Sequence, residues 1–200
     1  MLIDLADLPS LVAIGLQHDP AGMMLWHPTP GMEPTDRRRA AVVAEKARAY
    51  GLPEPIVADF PHLDQLLEGP QQGMAEAMLL LEAMIAAREH GCTRLIWPRQ
   101  VGPDESLLGP VVERADLLCA LVETDSAIEA PAIDLPVADL DDRQIVDLAN
   151  DTGVPMRAFW PCLAGEPEPC EACAGCLRWL EAFNTSNIPW PWSAAALPVR

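Results

Sequence analysis

Four of the six cysteines lie close together near the carboxyl end, in the pattern Cys162-x7-Cys170-x2-Cys173-x2-Cys176. Each Cys-x2-Cys turn lets two thiolates point at one ion, and the seven-residue loop returns the fourth sulfur. A tetrahedron of sulfur ligands suits zinc, and a shell filled by cysteine leaves no open position for water. The spacing therefore predicts a structural Zn²⁺ site, and no catalytic residue is assigned.

An iron–sulfur cluster is the alternative for these four cysteines. The run Cys-x2-Cys-x2-Cys also opens the bacterial ferredoxin pattern, which continues with x3-Cys-Pro. In this chain Cys176 is followed by LRWLEAF and by no further cysteine. The other two, Cys92 and Cys119, stand in apolar surroundings and are predicted to be core thiols.

Two further groups of polar residues could bind a ligand. Arg37, Arg38 and Arg39 fall in the first turn of a predicted helix and could hold a phosphate, a carboxylate or an acidic partner. A solvated turn is the alternative for them. His18 and His27, beside a short loop, could ligate a metal or form an acid–base pair, or simply be polar surface.

Composition narrows the class of protein. Half of the 200 residues are hydrophobic and the net charge is −17, with Lys46 as the single lysine. A uniformly acidic surface argues against nucleic acid as a partner. No apolar run reaches the roughly 18 residues that a membrane span needs, and the composition of the first ten residues leads us to expect no secretory signal. We therefore expect a cytoplasmic protein, without a membrane partner, that binds a protein partner or forms a homo-oligomer.

Strands and helices alternate, which predicts an α/β fold with a parallel sheet flanked by helices. The predicted strands are Ser10–Leu16, Met23–His27, Pro55–Phe60, Thr93–Trp97 and Ala130–Leu135. The predicted helices are Asp36–Tyr50, Gly73–His90, Asp104–Glu123 (entered in two steps around Pro110), Leu140–Asn150 and Cys173–Phe183. We divide the chain into an α/β domain (1–158), a zinc-binding segment (159–184) and a Pro/Trp-rich tail (185–200), whose Trp190 and Trp192 either pack back or dock on a partner.

The segment FWPCLAGEPEPCEACAGCLRWLEAF resembles the zinc-binding end of the 7-cyano-7-deazaguanine synthase (QueC/ExsB-like) family. The positions that match that family's motif are Trp160, Cys162, Cys170, Cys173, Cys176, Arg178 and Phe183. Weaker similarity extends over residues 36–60, 91–106 and 135–155. The resemblance implies a PP-loop ATP pyrophosphatase (adenine nucleotide hydrolase-like) fold with a five-stranded parallel sheet.

The resemblance also implies an activity in queuosine biosynthesis. Members of the family use ATP to adenylate the carboxylate of 7-carboxy-7-deazaguanine and convert it to the nitrile. Their ATP phosphates lie in a Ser-Gly-Gly-x-Asp-Ser loop after the first strand, at a helix N-terminus.

This chain has no such loop. Only Gln17–Gly22 separates the first two predicted strands, and six residues cannot form the crossover that parallel neighbours need. We therefore expect the first crossover helix to be missing, so that these strands form a hairpin or one leaves the sheet. Asp142 also stands where the family tends to have a cation, and its charge would repel a triphosphate.

These departures predict a degenerate relative, a zinc-binding pseudoenzyme that serves as a scaffold or as a regulatory or interaction subunit, with ATP not expected as a cofactor. Two alternatives stay open. One is an active ATP-dependent ligase of the synthase type, with its pocket at the carboxyl ends of the strands or a phosphate loop from another chain. The other is an iron–sulfur electron-transfer protein.

Overall fold

The computed structural model describes residues 1–29, 34–60, 72–124 and 129–193. Their sheet has five parallel strands in the order β3-β2-β1-β4-β5. The strands are β1 (Leu2–Ile3), β2 (Leu25–Thr29), β3 (Ile56–Asp59), β4 (Arg94–Ile96) and β5 (Ala132–Asp134). The order reverses between β1 and β4, so the sheet is doubly wound, and the predicted α/β class is confirmed.

Six α-helices are described. They are α1 (Leu8–Gly15), α2 (Pro34–Ala49), α3 (Gln72–Glu89), α4 (Glu105–Thr124), α5 (Asp142–Asp151) and α6 (Ala174–Thr185). The five predicted helices match α2 to α6 within a few residues, although α4 runs through Pro110 without a break. Within the described ranges, no helix combines the length and apolarity that crossing a membrane requires.

The predicted loss of the first crossover helix is wrong. Ser10–Leu16 is not a strand, because it falls in and directly after α1, which joins β1 to its parallel neighbour β2. Seven of the eight residues of α1 are buried, so its sequence lacks the 3.6-residue alternation that reveals a surface helix. The signals that mark its start are the N-cap Asp7 and Pro9 in the first turn.

The two faces of the sheet bury different helices, because side chains alternate along each strand. One face of the strands, including Ile3 and Leu95, packs in a core cluster with residues of α3 and α4. The opposite face, including Leu2 and Leu25, packs with α2 and with the cysteine segment.

The Pro/Trp-rich tail packs back onto the domain as far as Ser193. Trp190 is buried, and its ring lies 5.4 Å from that of Phe183. The Trp192 ring lies 5.0 Å from that of Phe159. Of the two interpretations of these tryptophans, packing against the domain is confirmed.

Candidate metal centre and the loop after the first strand

The four clustered cysteines converge in space as their spacing predicts. Their four sulfur atoms all lie within 4.8 Å of one another. Cys162 and Cys176 are buried, while Cys170 and Cys173 are half-buried. Zn–S bonds of about 2.3 Å in a tetrahedron would place the sulfurs about 3.8 Å apart, within this limit. The donor set therefore fits one metal ion.

Helix α6 begins inside this cluster. Cys173 is its N-cap and makes no side-chain cap hydrogen bond, and Cys176 follows in the first turn. The positive end of a helix favours thiolates, the form in which cysteine binds metals. A Cβ on Gly175 would lie 2.2 Å from the carbonyl oxygen of Pro161. Glycine at this position thus allows the segment that carries Cys162 to lie against the start of the helix.

Backbone N–H groups surround the sulfurs. Leu163 N donates to Cys173 Sγ at 3.4 Å, and Ala164 N donates to Cys162 Sγ at 3.4 Å. Cys162 Sγ also accepts from Cys170 N at 3.4 Å, and Cys170 Sγ accepts from Cys173 N at 3.3 Å. Such donors stabilise negative charge on sulfur and orient ligands around a metal.

The neighbouring thiols differ in how readily they ionise. Burial opposes ionisation of Cys173, but hydrogen bonds led by that from the Leu163 backbone lower its pKa to about 6. Burial and the hydrogen bond with Cys173 raise the pKa of Cys176. Ionisation of one thiol thus makes ionisation of its neighbour less favourable. A bound cation would supply the positive charge that lets all four thiols ionise.

The loop after β1 lies at the position where the family resemblance places the phosphate site. It contains two aspartates, Asp4 and Asp7. The Asp4 side chain is fully buried, and Lys46 Nζ donates to its two oxygens at 2.8 and 2.9 Å. Ala6 N donates to Asp4 Oδ1 at 2.8 Å. The lone lysine of the chain thus neutralises a carboxylate inside the protein.

The second aspartate of this loop caps α1. Asp7 Oδ1 accepts from Ser10 N at 2.9 Å and also from the Ser10 hydroxyl. The Ser10 oxygen in turn accepts from Leu5 N at 3.2 Å. Burial raises the pKa of Asp7, although its hydrogen bonds from Ser10 act in the opposite direction. The N–H groups of Leu5, Ala6 and Ser10 are therefore already bonded to protein oxygens.

The structure separates the two predicted histidines. His18 is exposed on the connection between α1 and β2, whereas His27 is buried within β2. Nδ1 of His27 lies 2.6 Å from the carbonyl oxygen of Asp4. The structure places His27, but not His18, at the loop after β1.

The three consecutive arginines have different environments in the first turns of α2. Arg37 is exposed, while Arg38 and Arg39 are half-buried. The Arg38 guanidinium lies 4.6 Å above the centre of the Trp160 ring. Burial is the main cause that lowers the pKa of His27, and the positive charge of Arg39 acts in the same direction. Trp160 N donates to the carbonyl oxygen of Ala6 at 2.6 Å, so Arg38 lies near the loop after β1.

Asp142 is paired rather than free. Arg178 donates to both oxygens of Asp142, from Nη2 to Oδ1 at 2.6 Å and from Nε to Oδ2 at 2.8 Å. Gln100 Nε2 also donates to Asp142 Oδ1, at 2.8 Å. Burial opposes ionisation of Asp142, but the hydrogen bonds and charge of Arg178 lower its pKa on balance. These three side chains line a cavity of about 630 Å³.

A second ionic cluster was missed by the sequence reasoning. Glu76 on α3 is almost fully buried and accepts hydrogen bonds from Arg99, at 2.7 Å, and from Arg114. The three line a cavity of about 380 Å³ beside the segment that follows β4. The available signal was a glutamate on the core-facing side of an apolar helix, since buried carboxylates are nearly always paired.

One family model matches the carboxyl-terminal part of the chain. The model of the family "Queuosine biosynthesis protein QueC" matches residues 112–187, which include all four cysteines. The 7-cyano-7-deazaguanine synthase of Trichodesmium erythraeum is 36% identical over 63 residues, covering 32% of this chain and 28% of the relative. That of Archaeoglobus fulgidus is 35% identical over 72 residues, covering 36% and 28%. The matched stretch thus spans less than a third of these curated relatives.

Among solved structures, the U34-tRNA thiolase NcsA from Methanococcus maripaludis, determined with its [4Fe-4S] cluster, shares the fold. Its TM-score is 0.51 at 13% identity, and the alignment covers 93% of this chain and 63% of the thiolase. This likeness and the five-stranded parallel sheet confirm the predicted PP-loop-type fold. The chain therefore has a PP-loop-type fold with a carboxyl-terminal cysteine cluster, and its residues 112–187 are similar to the family of the queuosine biosynthesis protein QueC.

Proposed function

We propose that this QueC-like protein holds a structural zinc ion and acts as a scaffold or regulatory subunit, without ATP-dependent catalysis. The observation that carries the proposal is that the backbone N–H groups of the loop after β1 are already hydrogen-bonded within the protein. A phosphate cradle needs free backbone N–H groups facing an anion. In this loop three N–H groups already donate to protein oxygens, and the nearby acidic side chains are Asp4 and Asp7.

The proposed loss of ATP binding has a different cause from the one that the sequence suggested. The crossover helix is present, and its N-terminus follows β1 as in a phosphate-binding protein. That helix end is occupied by the Asp7 carboxylate, which bonds Ser10. A triphosphate would have to displace a cap worth about 1 kcal/mol and approach the Asp7 carboxylate. Substitution of the loop, rather than deletion of the helix, is the proposed reason for the loss of catalysis.

Compactness of the sulfur cluster supports zinc over an iron–sulfur cluster. The four sulfurs lie within 4.8 Å of one another, which suits ligands that share one ion. In a four-iron cluster each cysteine sulfur binds a different iron, so the sulfurs stand farther apart. Elemental analysis after anaerobic purification tests this point. One zinc per chain in a colourless sample is expected, and iron with sulfide in a brown sample would contradict it.

The lack of catalysis is tested by incubating the metal-loaded protein with Mg²⁺, ATP, ammonia and 7-carboxy-7-deazaguanine. No AMP release above the no-enzyme rate is expected, with an active 7-cyano-7-deazaguanine synthase as the positive control. AMP release that depends on the deazaguanine carboxylate would overturn the proposal.

A second candidate, an ATP-dependent ligase of the synthase type, is favoured by the two cavities beside the segment that follows β4. Open α/β sheets place their ligands at this edge. The same assay decides between the two functions.

A further inference from the structure

The carboxyl-terminal tail is joined to the cysteine loop by a side-chain hydrogen bond. Trp190 Nε1 donates to Glu171 Oε1 at 2.9 Å. Glu171 directly follows the candidate ligand Cys170 and lies two residues before Cys173. The bond therefore ties the stretch of chain between two candidate metal ligands to a residue 19 positions away.

The backbone of Glu171 has a conformation that is unusual for a residue with a side chain. Its φ angle of 55° lies in the left-handed region, which favours glycine. The residue is also exposed, so burial of its side chain does not offset the cost of this conformation. The hydrogen bond that its carboxylate accepts from Trp190 is an interaction that can offset it.

Trp190 is itself fixed on the body of the protein. Its side chain is buried, and its ring lies 5.4 Å from that of Phe183 on α6. The next residue, Pro191, accepts a hydrogen bond from Arg157 Nε at 2.8 Å. A buried indole N–H usually finds a partner, and here that partner is the carboxylate of the loop. The tail thus gives the exposed loop a second attachment to the helix that carries Cys176.

This attachment lies partly outside the region of family similarity. The residues that the family model matches end at 187, so they include the four cysteines and Glu171 but not Trp190. Similarity to the family therefore does not supply the contact, which is read from the structure of this chain.

We propose that Trp190 and Glu171 are positioning residues of the metal centre. Their hydrogen bond holds the stretch between Cys170 and Cys173 in the conformation that binds the ion, and so slows the loss of the ion. Groups outside the ligand shell that orient the ligands in this way strengthen metal binding. The inference rests on the metal site of the proposed function and adds to it the residues that retain the ion.

The first test compares the rates at which zinc-loaded variants lose their metal to an excess of a chromophoric chelator. Trp190→Phe keeps an aromatic ring beside Phe183 but removes the N–H donor, and it should release zinc about tenfold faster. Trp192→Phe is the matched control, because Trp192 lies in the same tail and packs 5.0 Å from the Phe159 ring, and it should leave the rate unchanged. Equal release rates for Trp190→Phe and the wild type would overturn the proposal.

The second test separates positioning of the loop from packing of the tail. Glu171→Ala removes the acceptor at an exposed position and should accelerate zinc release as much as Trp190→Phe does. Glu171→Gln keeps an oxygen that can accept, so it should restore most of the slow release. Trp190→Phe combined with Glu171→Ala should release zinc no faster than either single variant, because both changes remove one bond. Effects that multiply in the double variant would show that the two residues act independently, and the proposal would fail.

The metal content of the wild type separates this proposal from the proposed function. A wild-type chain that takes up no zinc would contradict both. Bound zinc that every variant releases at the wild-type rate would overturn the positioning role alone and leave the structural zinc site standing. Thermal unfolding of each zinc-loaded variant confirms that it is folded.

Discussion

The loop after β1 and the cysteine loop both lead into a helix N-terminus, yet they satisfy their charges in opposite ways. In the first loop Lys46 neutralises Asp4, and the Asp7 carboxylate caps α1. In the second loop Cys173 caps α6 without a side-chain hydrogen bond, and four thiols converge on one point. The first loop is complete without a ligand, whereas the second needs a cation once its thiols ionise. Similar backbone positions can therefore be closed or open to ligands, depending on which side chains fill them.

Removing a thiol from the open loop should have the largest effect. Cys176→Ser takes away a buried ligand and should cost more than about 4 kcal/mol in free energy of unfolding, because metal binding contributes to folding. Chemical denaturation and metal analysis measure both consequences. The control is Cys92→Ser, a half-buried thiol outside the cluster, which should cost about 1 kcal/mol. Similar losses in the two variants would show that the cluster does not depend on a metal.

Breaking the ion pair of the closed loop should come next. Lys46→Met leaves the Asp4 carboxylate buried and unpaired, and should cost about 3 to 5 kcal/mol. Adding Asp4→Asn should recover part of that loss, since the buried charge is then removed. The control is Arg94→Met in an exposed pair, which should cost less than about 1 kcal/mol. A loss as small as the control's would mean that the ion pair does not hold this loop.

Adding a single carbon to the open loop sharpens the comparison. Gly175→Ala introduces a Cβ that would meet the Pro161 carbonyl at 2.2 Å, so backbone must move and about 1 to 3 kcal/mol should be lost. Metal affinity should fall with it, as measured by competition with a chelator. Gly109→Ala in α4 is the control, because its Cβ meets nothing within 4 Å and should stabilise by about 0.5 to 1 kcal/mol.

The smallest expected effect is a pH dependence of stability through His27. Burial is the main cause that lowers the pKa of His27, so the unfolded chain binds a proton more readily than the folded one. Neutral His27 therefore makes its full contribution to the free energy of unfolding above the unfolded-state pKa of about 6.5. That contribution is lost as the pH falls below 6.5, by at most about 1.4 kcal/mol per pH unit. Denaturation of wild type and His27→Gln in phosphate-free buffer should show a flatter profile for the variant between pH 7 and 5. Parallel profiles would contradict this assignment.

Most of the fold could be predicted from sequence, because five helices show clear capping or stop signals around apolar faces. The exception is α1, which is buried on nearly all sides and therefore shows no periodic pattern of apolar residues. Its residues were predicted to form a strand, so the first crossover helix is missing from the predicted topology. The two-residue strand β1 was too short to produce a pattern of its own.

The candidate metal site could be predicted because its ligands are close in sequence. The pairing of Lys46 with Asp4 could not, since 42 residues separate the partners. Nor could the contact of His27 with the Asp4 carbonyl or that of Arg38 with Trp160, because both depend on the order of strands and on where the chain returns to the loop after β1.

The most direct test of the contrast between the two loops is a measurement of ATP binding and metal content on one purified sample. Calorimetry with Mg²⁺-ATP and elemental analysis provide the two values. About one zinc per chain with no saturable ATP binding is the predicted result, because the N–H groups of the loop after β1 are already bonded whereas the four thiols converge on one point. Saturable ATP binding by the metal-loaded protein would contradict the account of the closed loop.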